Sequence, residues 1–245
     1  MRVVSLVMAY YDNPNMLGHH VHKWLGYSDD VRSSLRIIVV DDGSPVSPAV
    51  DVIRRYHRQL LVRGLDVKVY RVVPDIPWNQ DGARNLGMRV CDTEWALMTD
   101  MDHTLIQSDA AVMCQYIREG LVSDAYFLPR QFLVDGTEIP VHANTFLFRV
   151  ADFWRVGGYD EDFAGFYGSD GNFRKCARGL GLRELPVNFG LTVWRREDCD
   201  DANTRRYGRK ESEFWAARNP TLNAKRVGPP YKAKNPIRFE WRREI

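Results

Sequence analysis

The sequence lacks the segments that mark membrane-embedded, metal-ribbon and strongly charged proteins. Its longest N-terminal apolar run, residues 3–9, is too short to cross a bilayer and is not followed by the cleavage region of a secretory signal. The four cysteines are scattered and form no Cys-x-x-Cys pair, which argues against a zinc ribbon and a dense disulfide framework. The net charge is only +2, so the chain as a whole is not a basic nucleic-acid binder. We therefore expect a cytoplasmic protein without a transmembrane segment and with reduced, buried cysteines.

The first hundred residues alternate between two kinds of segment. Short apolar or β-branched runs predict buried strands at residues 3–8, 36–40, 67–72 and 94–99. Between them, apolar residues recur at helical spacing and predict helices at residues 15–25, 48–61 and 79–90. Short strands separated by helices are typical of stacked β-α-β units, so the sequence predicts an α/β fold with a mostly parallel sheet and flanking helices.

The pattern changes after residue 120. Strands are predicted at residues 125–133 and 138–148, with a turn at residues 135–136 between them, and helices at residues 151–156 and 171–178. The remainder is rich in Arg, Lys, Asn and Pro, and only residues 210–218 have a helical pattern there. We therefore expect a main domain, residues 1–195, and a C-terminal extension, residues 196–245, that packs on the core or on the side where a second substrate enters.

The near-neutral total conceals two regions of opposite charge. Residues 195–245 hold 14 Lys+Arg and 8 Asp+Glu, whereas residues 1–194 hold 20 and 24, so the extension is basic and the rest is acidic. Two interpretations are open. The extension can dock on the acidic core, or its cationic and aromatic side chains can bind an anionic partner such as a nucleic-acid backbone.

Polar clusters follow three of the predicted strands, at residues 10–13, 41–44 and 100–103. Because ligands of parallel sheets bind beyond the carboxyl ends of the strands, we expect these clusters to meet at one edge. Asp100 and Asp102 are spaced to point at one hard cation, which would neutralise a diphosphate leaving group. His103 can add a nitrogen ligand, which Mn²⁺ tolerates better than Mg²⁺ does.

Four motifs, in a fixed order along the chain, carry a resemblance to a known family. The first is the strand and loop at residues 6–13, and the second is the segment at 37–44, which ends in Val-Asp-Asp-Gly-Ser. The third is Gly-Ala-Arg-Asn-Leu-Gly at 82–87, followed by an Asp-Met-Asp triplet at 100–102. The fourth is Gly-Gly-Tyr-Asp-Glu-Asp-Phe at 157–163 with Gly-Ser-Asp at 168–170. Each motif alone is moderately specific. Together they resemble the family-2 glycosyltransferases with the GT-A fold, over roughly residues 3–195.

The resemblance implies transfer of a sugar from a nucleotide-diphosphate donor, UDP by family base rate, to a hydroxyl acceptor, with inversion and with Mn²⁺ or Mg²⁺ as cofactor. Asp42 would hydrogen-bond the nucleobase, Tyr10 or Tyr11 would stack on it, and Asp170 would be the general base. The implied donor-binding residues are Ala9, Tyr10, Tyr11, Asp12, Asp42, Arg84, Asp100 and Met101. The implied metal ligands are Asp102, Asp100 and His103.

Elementary chemistry supports a carboxylate at Asp170. Displacement at an anomeric carbon needs a base on the face opposite the departing diphosphate, and a carboxylate also stabilises the oxocarbenium-like charge that develops there. Several of these residues also have plain structural interpretations. Asp170 could cap a helix, Asp41 and Asp42 could form an Asx turn, and Arg84 could bond to a nearby acid. Structural roles are also expected for a lone His142 and for an exposed helix face with His19, His20 and His22.

Two departures from the family pattern leave the mechanism open. Ser169 stands where many relatives have Glu before the catalytic aspartate, and residues 191–196 contain no late histidine that would ligate a metal. The metal would then rest on Asp102 with Asp100, His103 or the diphosphate, or arginines would partly replace it. Two further functions are open alternatives, a catalytically silent nucleotide-sugar-binding module and a transferase whose acceptor is a modified nucleic-acid base.

Overall fold

The computed structural model describes residues 2–142, 144–166, 168–203, 218–234 and 236–245. The helix predicted at residues 210–218 lies outside these ranges except for its last residue, and the aromatic pair Phe214 and Trp215 lies outside them entirely. Within the described ranges the strands form one mixed sheet with apolar clusters and helices on both faces, which confirms the predicted α/β class.

The first half of the chain builds the parallel part of the sheet. Its elements, in chain order, are β1 (Val4–Tyr10), α1 (Pro14–Leu25), α2 (Asp29–Ser34), β2 (Leu35–Asp41), α3 (Ala49–Val62), β3 (Asp66–Val72), α4 (Gln80–Arg89) and β4 (Trp95–Thr99). The strands pair in parallel in the order β3-β2-β1-β4. Because helices cover both faces, the central strands are continuous apolar runs. The sequence pattern missed α2, whose six residues make less than two helical turns.

The second half adds antiparallel strands and returns to the first half. Its elements are β5 (His103–Thr104), α5 (Gln107–Glu119), β6 (Ala125–Leu133), β7 (Glu138–Ile139), β8 (Phe146–Arg149), α6 (Val150–Val156), a 3₁₀ turn (Glu161–Phe163), α7 (Ser169–Gly179), β9 (Arg183–Val193), α8 (Pro220–Val227) and β10 (Trp241–Arg243). The full sheet order is β10-β3-β2-β1-β4-β8-β6-β9-β5, with β7 paired to β6. The later strands therefore extend the sheet beyond β4, and β10 closes its opposite edge.

The strand predicted at residues 138–148 is wrong as a single element. The structure divides it into β7 and β8, and residues 140–142 and 144–145, which lie between them, belong to no strand. Pro140 explains the break, because a proline has no backbone N–H to donate to a neighbouring strand. The irregular segment carries His142 to the carboxyl edge of the parallel strands, where it meets Asp100.

Helix α4 packs unusually close to the centre of the sheet. Gly87 faces β1, and a Cβ atom there would clash with the side chain of Val7. An alanine at this position would force the helix outward, and overpacking of this kind typically costs about 1–3 kcal/mol. This close approach fixes the position of Arg84, one turn earlier on the same helix, which is 1% exposed.

The described part of the C-terminal extension contacts the main domain at several places. The last strand, β10, pairs antiparallel with β3 at the edge of the sheet. Upstream of it, the backbone N–H groups of Ile237 and Arg238 donate to the buried Glu161 carboxylate. Lys225 of α8 forms ion pairs with Asp160 and Asp162. Cationic groups of the extension thus neutralise an acidic segment of the core.

The structure bears on two expectations, that the chain has no transmembrane segment and that its cysteines are reduced and buried. No helix in the described ranges is long and apolar enough to cross a membrane. All four cysteines are free thiols, and three of them are buried.

Candidate active site

The polar ends of the parallel strands meet the N-terminal turn of α4. Asn79, directly before the helix, donates its side-chain amide to Asp42 at 3.2 Å, and Gln80 donates to Asp100 at 2.9 Å. Arg84, one turn later, contacts Asp100 and lies 3.7 Å from Asp170. Three of the acids that the sequence singled out for chemistry, Asp42, Asp100 and Asp170, therefore contact residues at one helix end. The parallel pairing of β1 with β2 and with β4 brings the first two together.

The two aspartates that follow β2 have different surroundings. Asp41 accepts hydrogen bonds from the N–H groups of Ser44 and Ala49, each at 2.8 Å, and from Arg71 at 3.1 Å. It therefore builds the loop and the start of α3. Asp42 is 4% exposed and faces Asn79. Burial raises the pKa of Asp42 well above its ordinary value, so this carboxyl suits hydrogen bonding with a neutral partner better than binding a cation.

The loop after β1 corrects one of the predicted stacking residues. The ring of Tyr10 is 1% exposed in the apolar core, and its hydroxyl donates to the Ser47 carbonyl at 2.5 Å. It cannot stack on a base without leaving the core. Tyr11 is partly exposed, and its hydroxyl donates to Asp75 at 3.3 Å. Of the two tyrosines, Tyr11 has a ring that a base can reach.

Asp12 and Ala9, the other predicted donor-binding residues of this loop, have structural roles. The Asp12 carboxylate accepts hydrogen bonds from the N–H groups of Val46 and Ser47, at 3.2 and 2.7 Å. Asp12 has a φ of 49°, a left-handed conformation that aspartate tolerates better than most residues do. The side chain thus holds two loops together, and Ala9 is a partly buried residue of β1.

Arg84 lies at the centre of an acidic cluster. Its predicted role, direct contact with the donor, requires an accessible guanidinium, and this one is buried. Its guanidinium is 1% exposed and donates to Asp100. It also lies 4.0 Å from Asp81 and 3.7 Å from Asp170, and 5.4 Å from the centre of the Tyr159 ring. Arg84 therefore acts on the site through these carboxyl groups.

Asp100 is held in the ionised state by cations. Burial would raise its pKa, but Arg84 and then His142 outweigh burial and hold the pKa well below the ordinary range. The Nδ1 atom of His142 lies 3.2 Å from Asp100, and this contact raises the pKa of the histidine. With Gln80 as a third donor, most acceptor positions of this carboxylate are taken. His142, expected to be structural, thus belongs to the site.

A metal ion could be held beside Asp100 by Asp102 and His103. One ligand atom from each of the three residues lies within 4.8 Å of the others. The Nδ1 atom of His103 contacts the Thr145 hydroxyl at 2.8 Å, which turns Nε2 toward Asp102, 3.7 Å away. Burial lowers the pKa of His103 to about 4, so at neutral pH the ring is uncharged, as a metal ligand must be. A set of two carboxylates and one imidazole fits Mn²⁺ better than Mg²⁺.

Met101, predicted to contact the donor, is turned into the apolar core and is 6% exposed. Its backbone carbonyl contacts the Nε2 atom of His20 at 2.7 Å. His20 is fully buried, so the expected exposed face of histidines on α1 is wrong for this residue. The contact fixes the turn between the two carboxylates. The helical phase offered a signal for this, because His20 lies on the same side of α1 as the buried Met16 and Leu17.

Asp170 lies in the first turn of α7 without capping it. The N-cap position belongs to Gly168, and no side chain caps the helix. The Asp170 side chain is 28% exposed, and its Oδ1 atom accepts no hydrogen bond from the residues that the structure describes. Burial raises the pKa of Asp170, although Arg84 opposes this. Oδ1 is buried and faces Arg84, and a partly exposed carboxylate with a raised pKa is suited to take a proton at its accessible side.

Sequence reasoning missed the partners of Asp170. Asn144, which is 7% exposed, hydrogen-bonds to it from the segment between β7 and β8. Asp81, also 7% exposed, lies on α4 and receives a hydrogen bond from the hydroxyl of Ser169. No local pattern marks an asparagine in an irregular segment. The helical phase of α4 does mark Asp81, since it precedes Arg84 by three residues and shares its face.

Comparison with known proteins begins with the sequence. Residues 5–177 match the sequence model of the family described as glycosyl transferase family 2. A search of curated proteins gives no significant match.

Solved structures extend the comparison. S. aureus TarS residues 1–349 in complex with UDP-GlcNAc aligns with a TM-score of 0.63 at 15% identity, over 94% of this chain and 68% of that one. The mannosyltransferase PcManGT from Pyrobaculum calidifontis, in complex with GDP-Man and Mn²⁺, aligns with a TM-score of 0.60 at 14% identity, over 93% and 62%. GalNAc-T7 with UDP, GalNAc and Mn²⁺ aligns with a TM-score of 0.57 at 14% identity, over 80% and 44%.

At such low identity these likenesses establish the fold alone. The family match covers well over half of the chain, and it agrees with the order of the four motifs along the sequence. The chain therefore belongs to glycosyl transferase family 2 and is a glycosyltransferase with the GT-A fold.

Proposed function

We propose that this glycosyltransferase moves a sugar from a nucleotide-diphosphate donor, with UDP as the carrier, to a hydroxyl acceptor. The reaction inverts the anomeric carbon and is assisted by Mn²⁺ or Mg²⁺. One observation carries the proposal. The N-terminal end of α4 touches Asp42 through Asn79, the acid at the end of β4 through Gln80, and Asp170 through Arg84. A donor laid along this helix end would present its base, its diphosphate and its sugar to these three places in turn.

The site offers suitable groups to both the base and the diphosphate of such a donor. Tyr11 offers a ring to the base, and Asp42 offers a hydrogen-bonding carboxyl in a low-dielectric pocket. A divalent cation held by Asp102 and His103 would neutralise charge on the diphosphate. Support for UDP comes from TarS, which has been crystallised with UDP and with UDP-GlcNAc, whereas PcManGT was crystallised with GDP-Man.

Asp170 performs the proton transfer. Its carboxylate takes the proton of the acceptor hydroxyl as the acceptor oxygen forms a bond to the anomeric carbon. The bond from that carbon to the diphosphate breaks, and its electron pair leaves with the diphosphate. Since attack and departure occur on opposite faces, the configuration inverts. Arg84 lies 3.7 Å from Asp170 and opposes the rise that burial causes in the pKa of Asp170, which favours the ionised form that a base needs.

The acceptor in this proposal is a glycan or another molecule with a free hydroxyl. A nucleic-acid acceptor has weaker support, because the described part of the extension pairs Lys225 and Arg238 with Asp160 and Asp162. Salt-sensitive binding of DNA or RNA would restore it. A cytoplasmic location, supported by the free thiols, is checked by cell fractionation.

The test is a donor screen followed by product analysis. The wild-type protein is incubated with UDP-sugars and GDP-sugars and with Mn²⁺, and stabilisation against heat identifies the donor. Transfer and donor hydrolysis are then measured for Asp102→Ala, Asp170→Asn and the exposed-acid control Asp51→Asn. We expect the first two variants to lose at least about 100-fold in rate and the control to retain it. Unchanged turnover in both site variants contradicts the proposal, and binding without any turnover indicates a silent nucleotide-sugar-binding module.

A further inference from the structure

Asp81 is a buried acid that the proposed reaction leaves without a task. It lies in the first turn of α4, and its side chain is 10% exposed. The Ser169 hydroxyl hydrogen-bonds to it. Its Oδ1 atom lies 4.0 Å from Nη1 of Arg84, and the same nitrogen lies 3.7 Å from Oδ1 of Asp170. Asp81 and the proposed base thus flank one guanidinium.

The charges of this cluster do not balance if every group is ionised. Arg84 contacts three acids, Asp81, Asp100 and Asp170, and His142 pairs with Asp100, so full ionisation leaves an excess of at least one negative charge. Removing such an excess from water is strongly unfavourable, and a proton that stays on one acid relieves it. The Asp81 side chain is 10% exposed, against 13% for Asp100 and 28% for Asp170. Asp81 is also the farthest of the three acids from the guanidinium, at 4.0 Å against 3.7 Å for Asp170 and direct contact for Asp100, so it is the acid best placed to keep the proton.

The acid strength of Asp81 agrees with this geometry. Burial, and after it the negative charge of Asp170, raise the pKa of Asp81 to about 7. The groups that face it are Arg84 on its own helix, Asp170 and Ser169 on α7, and Asp160 before the 3₁₀ turn. Arg84 and the Ser169 hydroxyl oppose the rise, and Asp160, itself paired with Lys225, adds to it.

We propose that Asp81 is a positioning residue whose neutral form does not compete for the Arg84 guanidinium, which stays paired with Asp100 and Asp170. Neutral Asp81 thereby limits the negative charge near the site where the anionic donor binds. The inference rests on the proposed function, because the donor is a diphosphate. When Asp81 loses its proton, a second negative charge faces Arg84 and draws on the same guanidinium. Donor affinity then falls as the pH rises through neutrality.

The binding test compares wild type with Asp81→Asn, which keeps the shape of the neutral acid and cannot ionise. The probe is UDP-GlcNAc with Mn²⁺, because its diphosphate is esterified at both ends and keeps a constant charge from pH 6 to 8.5. Calorimetry should show the wild-type Kd rising about five- to tenfold over this range and that of Asp81→Asn changing less than twofold. Asp51→Asn, which removes an exposed acid from the first turn of α3, should follow wild type. Superimposable Kd profiles of wild type and Asp81→Asn overturn the proposal.

A second readout needs no donor. The native protein keeps a proton on Asp81 that the unfolded chain releases above about pH 4, so this group destabilises the fold progressively as the pH rises to about 7. The Tm of Asp81→Asn relative to wild type should therefore rise by at least about 3 °C between pH 5 and pH 8. Ser169→Ala, which removes a hydrogen bond to the charged form, should move the wild-type transition to higher pH. A constant Tm difference overturns the inference even if UDP-GlcNAc binds, and failure of wild type to bind the probe counts against the proposed donor alone.

Discussion

The ends of β2 and β4 each carry two aspartates, and the structure surrounds the two pairs in opposite ways. Asp41 and Asp42 are 1% and 4% exposed, and they meet mainly backbone N–H groups and a side-chain amide. Asp100 and Asp102 are partly exposed, and a buried guanidinium and two histidine rings lie against them. Burial dominates at the end of β2 and raises both pKa values there, whereas cations dominate at Asp100 and lower its pKa.

The difference teaches that spacing alone does not assign a role to a carboxylate pair. A carboxyl group with a raised pKa in a dry pocket is adapted to a neutral hydrogen-bonding partner, such as a nucleobase. A carboxylate kept ionised at the rim, beside an uncharged imidazole, is adapted to a divalent cation. In the proposed function, the same strand geometry would therefore serve both ends of one donor, because the counter-charges come from elsewhere in the chain.

The largest expected effect comes from removing the rim carboxylate. Asp102→Ala should lower the rate of sugar transfer by about 10²–10³-fold, because the cation that neutralises the diphosphate loses a ligand. Its Tm should stay close to that of wild type, since a partly exposed side chain contributes little to stability. Asp42→Ala should instead act mainly on the donor KM. Steady-state kinetics with varied donor and Mn²⁺ measures kcat and the donor KM of both variants. Equal losses of kcat would contradict the distinction between the two strand ends.

Asp100→Asn tests the cation-dominated end by its stability. The change leaves the buried Arg84 with less counter-charge, and breaking a buried pair costs about 3 kcal/mol at pH 7. Because the native pKa of Asp100 is lowered, its contribution is present above the unfolded pKa and is lost as the pH falls. The deficit relative to wild type should therefore stay constant from pH 7 to about pH 5 and shrink as the pH falls further toward about pH 3. Urea unfolding at several pH values measures it, and a deficit independent of pH contradicts the assignment.

Asp42→Asn should have a smaller effect of the opposite sign. Burial raises the native pKa of Asp42, so the wild-type carboxyl loses stability as the pH rises above the unfolded value. The variant should be more stable than wild type by about 1–2 kcal/mol at pH 8 and equal to it near pH 4. The same urea series provides the measurement, with Asp51→Asn as the exposed control. A destabilised variant at pH 8 would mean that the two strand ends do not differ in this way.

The elements that local pattern could predict are those whose burial follows from their own sequence. The four parallel strands and the helices α1, α3 and α4 fall near their expected positions, because apolar runs and helical phase are read within one segment. The break at Pro140 and the edge strand β10 depend on which neighbour is available for pairing, and three exposed residues of β10 give no apolar signal. Tertiary context decides such elements.

In the site, the residues at the strand ends were predictable and their partners were not. Asp42, Asp100 and Asp102 follow apolar runs, and parallel strands bring such ends together. Other residues of the site come from distant parts of the chain: His20 contacts the Met101 carbonyl between Asp100 and Asp102, and Asn144 hydrogen-bonds to Asp170. Pairing across such separations leaves no trace in a single sequence.

The sequence contains a signal that would have excluded Tyr10 as a stacking residue. The side chain of Tyr10 has the same parity as Leu6 and Met8 on β1, and all three face one apolar cluster. Strand alternation therefore assigns Tyr10 to the core and leaves the position after the strand, Tyr11, for a ligand.

The smallest expected effect separates these two tyrosines. Tyr11→Ala should weaken donor binding about five- to tenfold, because stacking of a base on an aromatic ring contributes about 1–3 kcal/mol. Tyr11→Phe should bind the donor nearly as well as wild type, since it keeps the ring. Tyr10→Phe should leave donor affinity unchanged and lower the stability by about 1 kcal/mol, because the hydroxyl loses its hydrogen bond to the Ser47 carbonyl. Calorimetric Kd values and urea midpoints of the three variants separate the roles. If Tyr10→Phe weakens donor binding as much as Tyr11→Ala does, the base contacts Tyr10 on the core side of the loop. The role assigned to Tyr11 would then belong to Tyr10.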